Sequence, residues 1–265
     1  MKTLFALWVS LLLIGSPAFG QDVPPAFEKA SDQGNEKAED EYDPFDPSIN
    51  APKLVRVQVE FVEMAHKDLT RLMMDEKSEK ADATELRMKV QEMVDKDTAK
   101  VIETQIVVGR SGQKQTTESI HEFIYPTEYE PPVLDDEKLK EMLKNGSFPV
   151  VPGNPTAFEV RNVGSTLEAE PTISENDRIV DLRFLPELIW HTGDTVWNER
   201  KDELGNVYKV TMPDFYKLSI NTSITCITGQ YTMVGVVSPK DAKGKVDTDR
   251  KVMIFVKCNV LSVIP

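Results

Sequence analysis

Apolar residues recur at every second position in two stretches near opposite ends of this 265-residue chain. The stretches cover residues 54–63 and 251–263, and their alternating members are Val55, Val57, Val59 and Phe61, then Ile254, Val256 and Cys258. A repeat of two matches a β-strand with one buried face, whereas a helix repeats every 3.6 residues. We therefore expect a fold dominated by β-sheet.

Other stretches of the chain add short helices to this sheet. Leu86, Val90, Met93 and Val94 are spaced by three and four residues, which predicts an amphipathic helix over 82–97. Shorter helices are predicted at 67–75 and at 135–144, the latter ended by Asn145-Gly146. Strands are predicted at 54–63, 101–108, 158–170, 178–190, 217–227, 231–238 and 251–263, and a further strand is predicted in a segment that ends at 122–125. A long loop is predicted at 191–214.

The order of these elements indicates the fold class. The last hundred residues are expected to form a β-meander, and the helices are few and short. The expected class is α+β, mainly antiparallel β, with one or two short packing helices.

The first 50 residues differ from the rest of the chain. Lys2, the apolar stretch 4–14 and the small residues at Ala18-Phe19-Gly20 have the pattern of a signal peptide, so residues 1–20 are expected to be removed on export. Residues 21–50 carry nine acidic side chains and two lysines, which indicates an acidic disordered linker. This linker is either a plain spacer or an acidic recognition tail. One folded domain is expected over 51–265, with a proline-rich insert at 126–157.

The charge of the chain excludes two classes of partner. Its 44 acidic and 31 basic side chains give a formal net charge of −13. Binding to nucleic acid requires a clustered basic surface that neutralises phosphates, and peripheral docking on an anionic membrane requires a similar surface. We therefore expect no nucleic-acid partner and no attachment to an anionic membrane surface.

The two cysteines, Cys226 and Cys258, each follow the apolar alternation of a predicted strand. Both side chains are therefore expected to point into one core. In an oxidising compartment such a pair could form a disulfide, and the alternative is two buried thiols. The sequence leaves both interpretations open.

Sequence patterns typical of enzymes are missing. The chain has no P-loop, dinucleotide-binding fingerprint or nucleophile elbow. Two histidine-containing pairs, Glu63 with His66 and His191 with Asp194, are weak candidates for metal binding, and His121 has no obvious partner. We expect no catalytic residue, no cofactor and no metal site.

Several motifs occur in an order that resembles the C-terminal domain of secretins, the channel subunits of bacterial secretion and pilus systems. Residues 57–64 look like the family's first strand, and RKVMIFVKCNVLSVIP is similar to its closing strand. Between them lie a Gly-Gln step, the pattern V-G-x-x-L-x-x-x-P-x-I with a following Pro-Glu, and a Gly-Gln hairpin. The residues that match are Gly112, Gln113, Val163, Gly164, Leu167, Pro171, Ile173, Pro186, Glu187, Gly229, Gln230 and Gly235.

The resemblance implies a function without catalysis. The chain would be a component of a bacterial protein secretion or pilus apparatus, located in the periplasm or at the periplasmic face of the outer membrane. It would act by self-association or by docking to other secretion or pilus proteins. The alternative is a free periplasmic β-rich binding module that has lost channel formation.

Three departures from the family pattern bear on whether this chain forms a channel. Channel-forming secretins carry an apolar segment that dips into the outer membrane, whereas residues 238–250 here read SPKDAKGKVDTDR, and Val236 replaces the second glycine of the hairpin. The linker is also too short for the ring domains that precede the channel in the family. A charged segment gains no transfer free energy in lipid, so membrane insertion by this chain alone is not expected.

Overall fold

The computed structural model describes residues 51–75, 81–130, 136–146, 153–201 and 207–263. The expected signal peptide and acidic linker lie outside these ranges. The elements within the ranges are β1 (Lys53–Ala65), α1 (His66–Asp75), α2 (Thr84–Asp95), β2 (Ala99–Arg110), β3 (Gln115–Glu130), α3 (Asp136–Asn145), β4 (Asn154–Ile173), β5 (Ile179–Lys201), β6 (Val207–Ser219), β7 (Thr222–Ile227), β8 (Tyr231–Val237) and β9 (Arg250–Ser262).

The strands form two antiparallel sheets. Sheet 1 has the order β2-β1-β9-β8. Sheet 2 has the order β3-β4-β5-β6, and β7 also pairs with β5. The expected fold class, mainly antiparallel β with short helices, is confirmed.

The main core lies between the two sheets. Sheet 1 contributes the alternating residues of β1 and β9, and sheet 2 contributes apolar residues of β4, β5, β6 and β7. The buried members are Val55, Val57, Val59, Phe61, Val252, Ile254, Val256 and Cys258 from sheet 1, and Leu167, Ala169, Val180, Leu182, Phe184, Leu188, Leu218 and Cys226 from sheet 2.

A second core lies on the other face of sheet 1. Here α1 and α2 cover β1 and β9 through Leu69, Leu86 and Val90, which pack on Met253 and Phe255. The central strand β9 is therefore buried on both faces, and every residue from Val252 to Val256 is fully buried. This double burial explains why its sequence is a continuous apolar run rather than a simple alternation.

Glu60 and Arg87 form a buried ion pair that joins α2 to sheet 1. The Arg87 Nε donates to Glu60 Oε2 at 2.6 Å, and both side chains are at most 10% exposed. The second carboxylate oxygen accepts hydrogen bonds from Gln58 Nε2 and from the Tyr231 hydroxyl. Because every oxygen of the buried carboxylate has a donor, the pair meets the condition under which a buried charge is tolerated.

Three of the sequence predictions about elements are wrong. In the described parts of the loop expected at 191–214, residues 191–201 form the second half of β5 and residues 207–214 the first half of β6. The strand expected at 217–227 is divided between β6 and β7. The expected meander does not hold either, because β8 and β9 leave sheet 2 and join β1 in sheet 1.

Pro186 explains why β6 and β7 are separate strands. It lies within β5, opposite the point where β6 ends at Ser219, and proline has no N–H to donate to a neighbouring strand. Only one long bond, from the N–H of Ile220 to the carbonyl of Pro186 at 3.4 Å, crosses at this level. The ladder resumes at Thr222.

The described parts of the proline-rich segment predicted at 126–157 belong mainly to two strands and one helix. Residues 126–130 belong to β3 and residues 154–157 belong to β4. The predicted helix is present as α3, and Gly146 follows it with a positive φ of 63°. Pro126 lies beside an irregularity in the β3–β4 pairing, which is where a strand accepts a proline.

Candidate functional site

Sheet 2 divides into two ribbons beyond Gly164. The pairing between β4 and β5 ends where Gly164 faces Ile189. Past that point β3 and β4 continue as one two-stranded ribbon to Glu130, and β5 and β6 continue as another to Lys201. We call these the β3–β4 ribbon and the β5–β6 ribbon. The part of β4 that pairs with β3 but not with β5, residues 154–163, extends for about 30 Å at the usual rise of a strand.

The fork between the ribbons depends on a glycine. Gly164 has a φ of 136°, a region that side chains with a Cβ rarely adopt. A Cβ at this position would lie 2.2 Å from the carbonyl oxygen of Ser119. An open cavity of about 350 Å³ lies at the fork, and it is lined by Val160, Arg161, Asn162, Glu187, Ile189 and Lys217.

The two outer strands of sheet 2 leave backbone groups free for pairing. Among the described residues, β3 pairs only with β4, and β6 pairs only with β5. Each strand therefore presents one row of backbone N–H and C=O groups that has no neighbouring strand. Such an edge is a template on which another chain can add a strand.

The two edges differ in charge. The β3 strand carries Glu118, Glu122, Glu128 and Glu130 and no lysine or arginine. The β6 strand carries two lysines and one aspartate, and both lysines are paired within the chain, Lys209 with Glu199 and Lys217 with Glu187.

Apolar side chains lie exposed on the outer face of the β3–β4 ribbon. Ile124 is 62% exposed and Val160, its cross-strand neighbour, is 56% exposed. Phe158, which faces Pro126 on the same side of the ribbon, is 57% exposed. Three large apolar side chains on one ribbon face form an unusual surface for a soluble protein and indicate a contact region.

Aromatic side chains hold the inner faces of the two ribbons together. Phe123 stacks on His191 with 4.7 Å between ring centroids, and it meets Phe215 edge-on at 5.7 Å. Tyr125 lies 5.7 Å from Phe215, and the Arg161 guanidinium lies 5.9 Å above the same ring. We call Phe123, Tyr125, His191 and Phe215 the aromatic cluster. The edges β3 and β6 thus approach each other through side chains without forming a backbone ladder.

Tyr125 is fixed at the rim of this cluster. Its hydroxyl donates to Glu159 Oε2 at 2.9 Å across the β3–β4 ribbon. That hydrogen bond raises the pKa of Tyr125, since ionisation of the phenol would place a negative charge beside the carboxylate.

The histidine pairs proposed as metal ligands occupy different environments. His191 Nε2 lies 3.0 Å from Asp194 Oδ1, so this pair is formed, but its ring is also part of the aromatic cluster. Glu63 remains in β1 and forms an ion pair with Arg250, whereas His66 begins α1. Among the described residues, no three histidine, cysteine or acidic side chains are grouped as metal ligands.

The charged segment 238–250 folds as a compact loop between β8 and β9. The Asp241 carboxylate accepts from the backbone N–H groups of Lys243 and Lys245, both at 2.8 Å. Arg250 pairs with Asp247 and with Glu63 and donates to the Lys240 carbonyl. These contacts satisfy several polar groups of the loop from within the loop or from β1.

The family-motif glycines occupy turns and points of close approach. Gly112 has a φ of 73° and donates its N–H to the carbonyl of Pro171, which brings two distant motifs together. Gly229 has a φ of 85° and donates to the Cys258 carbonyl. Gly235 lies at a register shift between β8 and β9, where a Cβ would approach Ile220 to 2.8 Å.

The other motif residues lie in sheet 2 or in the turns that contain the motif glycines. Leu167, Pro171 and Pro186 are buried in sheet 2. Val163 is half-buried beside Gly164, and Gln113 and Gln230 follow the glycines in their turns. These positions are spread over several strands and turns and are not grouped at one place in the fold.

Sequence reasoning missed the two ribbons and the aromatic cluster. The cluster joins residues from β3, β5 and β6, and the loop that the sequence predicts at 191–214 begins with His191 and ends just before Phe215. The alternation of Phe123 and Tyr125 indicates that the two rings share one face of a strand, but the rings that they contact are distant in sequence.

No family model and no curated protein matches the chain. Its structure is similar to that of ExeD from Aeromonas hydrophila, with a TM-score of 0.38 and 12% identity over 80% of this chain and 49% of that one. It is also similar to the Klebsiella pneumoniae type II secretion system outer membrane complex that contains PulD, with a TM-score of 0.36 and 13% identity over 81% of this chain and 41% of that one.

A third similar structure is InvG, the secretin of the Salmonella SPI-1 type III secretion injectisome, with a TM-score of 0.34 and 10% identity over 80% of this chain and 62% of that one. The chain spans about half the length of the first two structures. Among the described residues, no helix has the length and apolar character needed to cross a membrane. The structural neighbours of this chain are secretins, matched at low identity and low TM-score.

Proposed function

We propose that this protein is a non-enzymatic, secretin-like component of a bacterial secretion or pilus apparatus, exported to the periplasm or to the periplasmic face of the outer membrane. It acts by self-association or by docking to other secretion or pilus proteins through the free edges of sheet 2. The observation that carries the proposal is that β3 and β6, the first and last strands in the order β3-β4-β5-β6, each have one edge without a neighbouring strand among the described residues.

The order of the strands favours a head-to-tail contact between copies. Three antiparallel steps separate β3 from β6, so the two edges run in opposite directions. Copies repeated in the same orientation would therefore join β6 of one to β3 of the next as an antiparallel pair. Contacts of this kind use two different surfaces and generate rings or filaments.

Charge disfavours the competing contact between two β3 edges. Four glutamates and no basic side chain lie on β3, so a β3–β3 pair would place like charges opposite each other. Like charges across a strand pair are destabilising, which leaves β6 as the better partner for β3.

Light scattering coupled to size-exclusion chromatography tests the proposal on the full chain, with and without detergent. We expect assemblies larger than a dimer, because each copy offers two different edges. A monomer at every concentration, in both media, would contradict self-association and would leave docking to a different protein as the remaining mode.

A pair of matched variants identifies the contact. Ile124→Lys places a charge on the exposed face of the β3–β4 ribbon, and Met88→Lys places the same charge on α2, where the side chain is 65% exposed. Neither change affects a buried residue. We expect Ile124→Lys to weaken assembly at least about tenfold and Met88→Lys to leave it unchanged. Equal effects of the two substitutions on assembly would show that the exposed face of the β3–β4 ribbon is not the contact between copies.

A second candidate function is a free periplasmic binding module without channel formation. The polar loop at 238–250 favours it, since Asp241 accepts hydrogen bonds from the loop backbone and Arg250 pairs with Asp247. Co-sedimentation of the full chain with vesicles of outer-membrane lipid distinguishes the two functions. Binding to the vesicles would contradict the free module, and its absence, together with a monomeric state, would support it.

A further inference from the structure

Cys226 and Cys258 lie on facing strands of different sheets. Cys226 is in β7 of sheet 2 and Cys258 is in β9 of sheet 1. Both are fully buried in the core between the sheets, and neither is part of a disulfide in the structure. A covalent bond between them would therefore link the two sheets directly.

The chain connecting the sheets holds the two cysteines close together. After β7 the chain turns into β8, and the N–H of Gly229 in this turn donates to the carbonyl of Cys258 itself at 2.8 Å. Gly229 is the third residue after Cys226, so the Cα atoms of these two residues lie at most about 10 Å apart even in an extended chain. The side-chain alternation of both strands then directs the two thiols into the same core.

The two thiols are in direct contact. They form a hydrogen bond to each other, which lowers the pKa of Cys226. The same bond, together with burial, raises the pKa of Cys258.

We propose that Cys226 and Cys258 form an intramolecular disulfide that links sheet 1 to sheet 2. The oxidant is a disulfide, either of a small-molecule thiol or of an oxidoreductase. The thiolate of one cysteine attacks it and releases one reduced thiol, and the thiolate of the other cysteine then attacks the sulfur of the first and releases the second. Two electrons and the two cysteine protons end on the two thiols released from the oxidant.

The bond must form before the core closes. Neither sulfur is exposed in the folded protein, so an oxidant has no access once the sheets have packed. The bond would close a loop from β7 to β9 that contains β8 and the charged loop at 238–250. This inference goes beyond the proposed function and is independent of self-association.

Refolding followed by mass spectrometry tests the bond without any variant. The full chain is denatured and reduced, refolded in a buffer that contains glutathione and glutathione disulfide, then denatured and alkylated without reductant. We expect a linked peptide that contains Cys226 and Cys258, and no alkylated cysteine. Two alkylated cysteines, or cysteines joined to glutathione or to another copy, would overturn the proposal.

Thermal unfolding provides the second readout. The oxidised protein is compared with protein that was reduced and refolded under reductant, and Cys226→Ala is treated in the same two ways. We expect the Tm of the unsubstituted protein to fall by about 10 °C on reduction, since the bridge restricts the unfolded chain. The Tm of Cys226→Ala should not respond. An equal Tm for oxidised and reduced protein would overturn the proposed link.

Discussion

Gly164 is the residue at which sheet 2 divides, and its role is testable by adding a single methyl group. Gly164→Ala combines an unfavourable φ of 136° with a contact of 2.2 Å to the Ser119 carbonyl, whereas Gly112→Ala combines a left-handed φ of 73° with open space around it. We expect Gly112→Ala to cost about 1 kcal/mol of unfolding free energy and Gly164→Ala about 3 kcal/mol. Urea unfolding measures both, and equal losses would contradict a steric role for the fork.

The Glu60–Arg87 pair provides a second prediction at the scale of a residue. Glu60→Gln removes the only described ion-pair partner of the buried Arg87 guanidinium, and an uncompensated buried charge is strongly unfavourable. We expect a loss of about 3 kcal/mol in urea unfolding.

A matched control for Glu60→Gln lies on α2, the helix that carries Arg87. Glu92 pairs with Lys96 at 3.8 Å, and both side chains are more than 70% exposed. Glu92→Gln should therefore change the unfolding free energy by less than about 0.5 kcal/mol. If both substitutions cost the same, burial is not what makes the Glu60 contact important.

Individual elements differ in how far their sequences reveal them. β1 was predicted from its alternation, because one face of that strand packs on the core between the sheets. The second half of β5 was missed because residues 191–201 lie in a ribbon with little burial on either face, so selection for an apolar repeat is absent there. The pairing of β1 with β9 joins opposite ends of the chain, and no local pattern contains that information.

The two halves of β5 should also differ in stability. Residues 180–188 pair with strands on both sides and carry four core residues, whereas residues 195–201 pair only with β6 among the described strands. Two-stranded ribbons open locally at low cost. Hydrogen exchange followed by mass spectrometry should show that the backbone amides of residues 180–188 are protected at least about a hundredfold more than those of residues 195–201. Uniform protection along β5 would contradict this assignment.

The same measurement tests the aromatic cluster as the contact between ribbons. Phe215→Ala removes the ring that meets Phe123 and Tyr125, while Trp197→Ala removes a 71% exposed ring from the same ribbon. We expect faster exchange in both ribbons for Phe215→Ala and no change in sheet 1. For Trp197→Ala we expect exchange close to that of the unsubstituted protein.

At the scale of the whole molecule, net charge and edge pairing act in opposite directions. Each copy carries −13, so copies that approach one another repel, and the lysines of β6 are already paired within the chain. The backbone edges and the exposed apolar ribbon face supply an attraction that depends little on salt. Repulsion between like-charged copies therefore sets the concentration at which they associate at low ionic strength.

This balance predicts that sodium chloride promotes assembly. Raising the ionic strength from about 0.01 M to about 1 M shortens the range of electrostatic repulsion from about 30 Å to about 3 Å. We expect the concentration for half-assembly to fall at least about tenfold, measured by light scattering, and the same trend for Met88→Lys. If salt instead dissociates the copies, ion pairs between them hold the assembly together, and the backbone edges of β3 and β6 are not its main contact.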